Sequence, residues 1–304
     1  MKPILQEENC PLASLVVLFY KHEKFVEDTV AGALGQTYPN LEIIFSDDYS
    51  PDGTFEAVKK AVEGYQGPHK IILNRNEKNL GLVAHVNRLL FEMCHGEYIF
   101  LNGGDDVSLP ERVSDGVEYF RSDPTVTAVC GSHISIDGDG NEGGTSGFSK
   151  DSLLRADDKN YLKSPYFMTG GAALAFRKEV LDSFGRLSDD CQTEDSVLRF
   201  RAILLGPTLR SSKLMLKYRI HDNNLSRDIG NFDTGKIAAQ YRADLAVARE
   251  WIAPDLYRAL DRKISHYTAI RRLEEKEARS PKFFRPLYEL AHKCLRAVYL
   301  LRFI

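Results

Sequence analysis

Glu97-Tyr98-Ile99-Phe100-Leu101-Asn102-Gly103-Gly104-Asp105-Asp106 is an apolar run that stops abruptly in two glycines and two adjacent carboxylates. Tyr98 to Leu101 has the unbroken apolar character of a strand covered on both faces, and glycines allow backbone angles that side-chain-bearing residues resist. The stretch therefore reads as a buried strand emptying into a polar turn. In open α/β sheets, ligands bind at the carboxyl ends of the strands. Two readings of the carboxylates stand at this point. Neighbouring like charges call for a divalent cation with a phosphate ligand, or Asp105 and Asp106 cap the helix that Pro110 helps to start.

Working back towards the amino terminus, the same design recurs. Ser14 to Phe19 is β-branched and apolar, a first buried strand, and a polar turn follows at Tyr20 to Glu23. Phe25, Val26, Thr29, Val30, Ala33 and Leu34 then recur at helical spacing, with Gly35 as a stop. Leu41 to Ser46 is a second buried strand that also ends in paired carboxylates, Asp47-Asp48. A helix over Phe55 to Gly64, a strand over Lys70 to Leu73, a turn through Asn79-Leu80-Gly81 and a helix over Leu82 to Cys94 complete the alternation. Strands alternating with helices imply a doubly wound, mostly parallel sheet. The ends of its first, second and fourth strands then gather Tyr20, Asp48, Asp105 and Asp106 around one crevice. No Gly-x-Gly-x-x-Gly follows the first strand and no Gly-Lys-Ser/Thr loop occurs, so the usual dinucleotide fold and the P-loop are both set aside.

Downstream, a helix is expected to about Ser122, then strand-like runs at Val126 to Cys130 and His133 to Asp137. Gly138 to Gly147 carries five glycines and reads as a loop. Thr169-Gly170-Gly171-Ala172-Ala173-Leu174 is a small-residue run of the kind that presses backbone against a ligand or another strand. Arg177 to Phe184 reads as a short helix. Glu194-Asp195 opens another, where acidic residues either serve the helix dipole or do chemistry. Lys213 to Ile220 is a strand candidate leading to His221. From Phe232 the periodicity turns to long helices. Pro281 to Ile304 sets Phe284, Leu287, Tyr288, Ala291, Leu295, Val298 and Leu301 on one face, and Lys282, Arg285, Lys293, Arg296 and Arg302 against Glu289 give this tail a charge of +4. A helix of that kind either lies in an anionic membrane surface or packs on the domain or a second subunit, and the sequence leaves both open.

Bulk composition narrows the class. The chain is 43% hydrophobic and 27% charged with net charge −3, which lacks the basic excess of a nucleic-acid binder. Its five cysteines, Cys10, Cys94, Cys130, Cys191 and Cys294, are scattered and odd in number, which favours free thiols and a cytoplasmic setting. Met1 to Pro11 sets Glu7 and Glu8 against Lys2 and has no apolar core of signal-peptide length, and no apolar run approaches the ~20 residues of a membrane span. The expectation is a protein that is neither exported by a leader nor membrane-spanning.

The assembled motifs resemble the inverting glycosyltransferases of family 2, which have the GT-A fold. The likeness covers roughly residues 12 to 226. It rests on Gln36-Thr37-Tyr38-Pro39-Asn40-Leu41-Glu42-Ile43-Ile44 leading to Asp47-Asp48-Tyr49-Ser50-Pro51-Asp52-Gly53-Thr54, on Asn79-Leu80-Gly81, and on Gly96-Glu97-Tyr98-Ile99 leading to Asp105-Asp106. Thr193-Glu194-Asp195 and Tyr218-Arg219-Ile220-His221-Asp222-Asn223-Asn224-Leu225-Ser226 complete the set. The resemblance implies a GT-A domain over residues 1–228 and a helical C-terminal extension over 229–304. It implies that Tyr20 lies against a nucleotide base with the backbone at Leu18 in contact, and that Asp48, near Asn79, accepts a hydrogen bond from that base, usually uracil, thymine or guanine. Asp105 and Asp106 stand where the family binds ribose and Mn²⁺ or Mg²⁺, with His221 near the metal and diphosphate. Asp195 takes the place of the general base.

Two positions depart from the family pattern. Gly103 stands where many members carry a first aspartate, and His85 where an arginine or lysine commonly faces the diphosphate; a plain surface position on the helix is the other reading of His85. The implied activity is transfer of a sugar from a nucleoside-diphosphate sugar to an acceptor hydroxyl with inversion, in assembly of a bacterial surface polysaccharide of O-antigen or capsule type. Implied partners are the donor and a saccharide or lipid-linked saccharide acceptor. The C-terminal helices would offer peripheral contact with the inner face of the cell membrane or a homo-oligomer. Two alternatives remain: a sugar nucleotidyltransferase, which would want a glycine-rich basic loop where Tyr20-Lys21-His22-Glu23 stands, and a non-catalytic nucleotide-sugar-binding protein.

Overall fold

The first strand's apolar run forms β1 (Ala13–Phe19), buried throughout except at the half-buried Leu18. Parallel neighbours flank it: β2 (Leu41–Asp47) on one side and β4 (Tyr98–Gly103) on the other, with β3 (Lys70–Arg75) beyond β2. Side chains alternate faces along each strand. Leu15, Val17, Ile43, Phe45, Tyr98 and Phe100 enter one hydrophobic layer, whereas Val16, Ile44 and Ile99 enter the other. The first layer is closed by α1 (Val26–Leu34), α2 (Thr54–Val62) and α4 (Arg112–Ser122), so the sheet is covered on both faces as the continuous apolar strands require. The computed structural model describes residues 10–164, 166–167, 173–222, 224, 233–280 and 285–300. Thr169 to Ala172, Asn223, Leu225-Ser226, Lys282, Phe284, Leu301 and Arg302 lie outside the described residues.

Register decides where these strands stop. Phe19 pairs with Asp47 and Leu18 with Gly103, so the carboxyl ends of β1, β2 and β4 finish level with one another. Helix α3 (Leu82–Arg88), which runs on through a wider turn over Leu89–Met93, returns the chain from β3 to β4.

Beyond β4 the sheet departs from simple winding. Its order is β3-β2-β1-β4-β9-β6-β10-β5, where β5 is Val107–Ser108, β6 Ala128–Ile136, β9 Ala173–Arg177 and β10 Thr208–Arg219. Strand β9 runs antiparallel to both β4 and β6, which leaves those two parallel across it. The runs expected at Val126–Cys130 and His133–Asp137 are one continuous strand, β6. The glycine-rich stretch is not all loop: β7 (Glu142–Ser146) pairs antiparallel with β6, every residue of it exposed. β8 (Ser152–Leu154) pairs with β10. Short helices α5 (Lys159–Lys163) and α6 (Glu179–Phe184) flank β9, and α7 (Glu194–Leu205) leads into β10.

The C-terminal helices are α8 (Thr234–Ala248), α9 (Pro254–Arg279) and α10 (Arg285–Leu300). Asp233 caps α8 by accepting from Gly235 and Lys236 N–H at 2.7 and 3.1 Å, and Pro254 begins α9, both ordinary helix-start chemistry. Ile237, Tyr241, Leu245, Leu260 and Ile264 share one buried cluster with Val197 and Phe200 of α7. The Tyr299 ring of α10 stacks on His266 of α9 at 3.9 Å, while Leu287, Leu290 and Val298 stay more than half exposed. Among the described residues no helix is long and apolar enough to cross a membrane. All five cysteines are free.

One buried ion pair ties α7 to α8. Arg201, 1% exposed, donates from Nε and Nη2 to the two oxygens of Asp244 at 3.0 Å each, and from Nη1 to the Gly185 carbonyl. Removing one member of such a pair strands the other in the core. Asp244→Ala is expected to cost about 3–5 kcal/mol, read as a lower urea midpoint at unchanged slope; a loss under ~1 kcal/mol would show Arg201 reaching water instead.

Candidate active site

The turn after β4 is held from inside. Asn102 bridges it, donating to the Gly103 and Asp106 carbonyls at 2.7 and 3.1 Å while its oxygen accepts from Ser108 and Arg112. Gly104 is required by close approach: a Cβ there would sit 2.5 Å from His22 Nδ1 and from the Phe19 ring, and 2.7 Å from the Leu18 carbonyl. The place a side chain would take at Gly103 is filled by the Asp105 carboxylate, 2.5 Å away. The missing first aspartate thus leaves no void.

Strand β10 then brings the far end of the chain onto this turn. Arg219 N–H donates to Asp106 Oδ1 at 2.9 Å, and its fully buried guanidinium donates to the Asp105 carbonyl at 2.8 Å and to Asp28 at 2.8 Å. His221 Nε2 meets Asp105 Oδ2 at 2.9 Å, and Asn224 Nδ2 reaches the same oxygen at 3.3 Å. His221 also packs its ring 4.8 Å from Phe25. Asp106 is 7% exposed. Burial first, then the charge of Asp105, pushes its carboxyl well above the usual carboxylate range, although the Arg219 N–H and the Arg112 and Arg219 guanidiniums pull the other way.

At the neighbouring strand ends, Asp48 is buried and already engaged. Its Oδ1 accepts from Asn76 Nδ2 at 2.7 Å and Leu80 N–H at 2.8 Å, and Oδ2 accepts from Gly81 N–H at 2.9 Å. A carboxylate has about four acceptor positions, so one is left for a ligand. Asn79 is exposed on the same loop and accepts from Gly81 N–H at 2.8 Å. Asp47 instead closes its own turn on Ser50 and faces Arg75. Tyr20 and Tyr49 are exposed aromatics at the ends of β1 and β2, 39% and 49% respectively. Lys21 (φ 61°) and Tyr49 (φ 60°) both hold left-handed backbone, the only described non-glycine residues to do so. Such conformations cluster at ligand sites.

The start of α7 separates its two acids. Asp195 Oδ2 accepts from Arg199 Nη1 at 2.7 Å and Oδ1 from Ser196 N–H at 2.6 Å, with the side chain 45% exposed. Burial, with the charge of Asp195 second, pushes the Glu194 carboxyl up to about 8. Of the pair, Glu194 keeps a proton near neutrality while Asp195 is the salt-bridged carboxylate. Tyr241 of α8 packs its ring 5.0 Å from Phe200 of α7, so the helical extension reaches this helix.

Among the described residues no three His, Cys, Asp or Glu side chains converge as a ready-made metal site. Asp105, Asp106 and His221 do meet, but His221 is bonded to Asp105 rather than standing beside it as a third ligand. What the turn offers is hard carboxylate oxygens, which suit Mg²⁺ or Mn²⁺ completed by phosphate and water.

A model of the family described as "Glycosyl transferase family 2" matches residues 14–185. The chain belongs to that family. A 129-residue stretch is 32% identical to an uncharacterized glycosyltransferase of Haemophilus influenzae, covering 42% of this chain and 38% of that protein. Another, 126 residues at 27% identity, matches the Escherichia coli UDP-Glc:alpha-D-GlcNAc-diphosphoundecaprenol beta-1,3-glucosyltransferase WfaP, covering 41% of this chain and 48% of that protein. The matches thus span less than half the length of these curated relatives. Among solved structures, S. aureus TarS 1-349 in complex with UDP-GlcNAc superposes with a TM-score of 0.67 at 15% identity, covering 91% of this chain and 78% of that one. At that identity the likeness is one of fold, and the fold is GT-A.

Two residues of this family 2 glycosyltransferase carry weight that their sequence context does not signal: Arg219, which holds the Asp105–Asp106 turn, and Glu194, whose carboxyl is raised beside Asp195. His85 corrects the surface reading offered for it: it is 2% exposed, and its Nε2 meets Ser46 Oγ at 2.6 Å. Burial lowers its pKa, which suits a neutral ring.

The strain at Asp106 has a measurable sign. A carboxyl raised in the folded state contributes stability that is complete below its unfolded pKa and lost as pH climbs through the folded one. Asp106→Asn removes that loss. The ligand-free variant is expected to melt above wild type at pH 8, with the gap closing as pH falls towards about 4; a variant less stable than wild type at pH 8 would overturn the account.

Proposed function

We propose that this chain transfers a glycosyl group from a nucleoside-diphosphate sugar to an acceptor hydroxyl with inversion, in a single displacement. The observation that carries the reading is the meeting of Asp105 and His221, 116 residues apart, on the level edge that also holds Tyr20 and Asp48. In this reading Tyr20 stacks on the base, the backbone at Leu18 borders it, and the remaining acceptor position of Asp48 takes an N–H of uracil, thymine or guanine. Asn79 keeps the loop that fixes Asp48 in place. Asp195 takes the acceptor hydroxyl's proton as the new bond forms. Glu194, protonated near neutrality, leaves it as the base of the pair, since paired acids with divided environments divide their roles. When bound at Asp105 and Asp106, Mn²⁺ or Mg²⁺ would neutralise charge on the leaving diphosphate.

Asp195→Asn is expected to keep donor binding and lose transfer by on the order of 10²–10⁴-fold. The check is a thermal-shift screen of nucleotide-sugars with Mn²⁺, since binding to the native state raises apparent stability, followed by assay of nucleoside diphosphate release. Near-normal release by the variant would remove Asp195 as the base, and pyrophosphate release would favour a nucleotidyltransferase.

The acceptor we propose is a lipid-linked saccharide in surface polysaccharide assembly, of O-antigen or capsule type. It is supported by the diphosphoundecaprenol-linked acceptor in the name of WfaP and by the exposed Leu287, Leu290 and Val298 of α10, which would lie at a membrane surface with Lys293 near headgroups. Leu287→Glu with Leu290→Glu is expected to abolish co-sedimentation with anionic vesicles while leaving hydrolysis of donor in solution intact. If wild type fails to sediment and the same variant instead breaks a dimer, the face belongs to a second copy of the chain.

A further inference from the structure

Lys263 of α9 lies on the helix's apolar stripe between Leu260 and Ile264 and is 0% exposed, a position that ordinarily takes a hydrocarbon. Its Nζ donates to the carbonyls of Tyr161 at 2.7 Å, Ser164, and Tyr166 at 2.8 Å, and stands 4.4 Å and 4.7 Å over the rings of Tyr161 and Phe167. The acceptors are the orphan carbonyls at and beyond the last turn of α5, where a cation also suits the helix dipole. Burial alone pulls the ammonium down, to about 7. The three carbonyls act against it, since only the protonated amine has three N–H bonds to give.

What this cage holds is Phe167. Its ring packs against Phe200 of α7 at 5.1 Å, Tyr241 of α8 at 4.3 Å and Tyr267 of α9 at 5.6 Å. Tyr241 in turn packs on Phe200 of α7 at 5.0 Å, on the helix that Asp195 opens. Two further ties from the extension end on the same stretch: Tyr166 Oη donates to Glu274 at 2.6 Å, and Tyr299 Oη to the Leu162 carbonyl at 2.6 Å. Six residues on, β9 starts at the end of the sheet where β4 finishes, since Phe100 pairs antiparallel with Ala175.

We infer that Lys263 is a positioning residue for glycosyl transfer: by fixing the end of α5 it seats Phe167 against α7 and holds the Glu194–Asp195 turn in place relative to the donor edge. The inference rests on the proposed function for its chemistry, while its mechanical part stands apart from it.

Two measurements on the full chain test both parts. Hydrogen exchange in Lys263→Met is expected to speed at residues 159–167 and at the start of α7, with β1, β2 and β4 unchanged. Hydrolysis of UDP-N-acetylglucosamine and GDP-mannose with Mn²⁺, normalised to the number of donor-binding sites, is expected to fall on the order of tenfold or more in kcat, since displacement of about 1 Å costs up to 10²-fold, with donor KM within about twofold. Unchanged exchange at α7, or unchanged kcat per binding site, overturns the inference; a loss that merely tracks the number of sites does so too. Phe167→Leu, which leaves Lys263 its three carbonyls and the Tyr161 ring but cuts the aromatic link to Phe200, carries the same test if Lys263→Met does not fold. Absence of turnover by wild type on every donor would sink the proposed function instead, and the exchange result still decides the linkage.

Discussion

Two carboxylates placed side by side at the end of a buried strand are the constraint around which this molecule is arranged. Left to themselves, Asp105 and Asp106 would repel each other and resist leaving water. Asp106 carries the consequence in a carboxyl pushed towards its protonated form. The fold answers with donors drawn from far along the chain: Arg112 ten residues on through Asn102, then Arg219, His221 and Asn224 at the end of β10. Burial still wins at Asp106 and favours its uncharged form. A bound cation would favour the ionised form, so metal affinity and the cost of holding this carboxyl out of water are linked.

How the long-range partners arrive explains the topology. His221 can meet Asp105 because β10, parallel to β6, pairs antiparallel with β5, the strand that directly follows Asp106: Lys217 lies opposite Val107. A sheet wound in one direction would carry the later strands away from the crevice. Pairing of β10 with β5 instead brings the second half of the sheet back to the turn after β4. On one face α7, α8 and α9 share a core with Val16, Ile44 and Ile99.

Much of the first half was legible from the residues because its strands are covered on both faces and read as unbroken apolar runs; β1, β2 and β4 emerge within a residue or two of the expected bounds. The level ends of those strands followed from the alternation alone. The antiparallel β9 did not, because its small-residue approach says that backbone is close without saying in which direction. β7 was missed because all five of its residues are exposed, so nothing in Glu142 to Ser146 alternates. His85 was readable in principle: with Leu82, Val86 and Leu89 it falls at helical spacing on the buried stripe, where a ring that bonds Ser46 fits better than one that faces solvent. Glu194 and Asp195 are neighbours in sequence and in helix position, and what tells them apart is the Arg199 and Ser196 partners of Asp195.

The extension raises a different issue, because a tail of helices appended to a nucleotide-binding sheet is easily taken for an ornament. Three of its side chains argue otherwise. Asp244 satisfies Arg201 on α7, Tyr241 packs on Phe167 and on Phe200 of the same helix, and Lys263 closes the end of α5. Each is polar, each is buried, and each reaches across to the half of the molecule that carries Asp195. Apolar residues could have packed these helices with less demand on geometry. Polar anchors fix direction as well as proximity, and direction is what a carboxylate requires when it must meet a single hydroxyl proton along one line of approach.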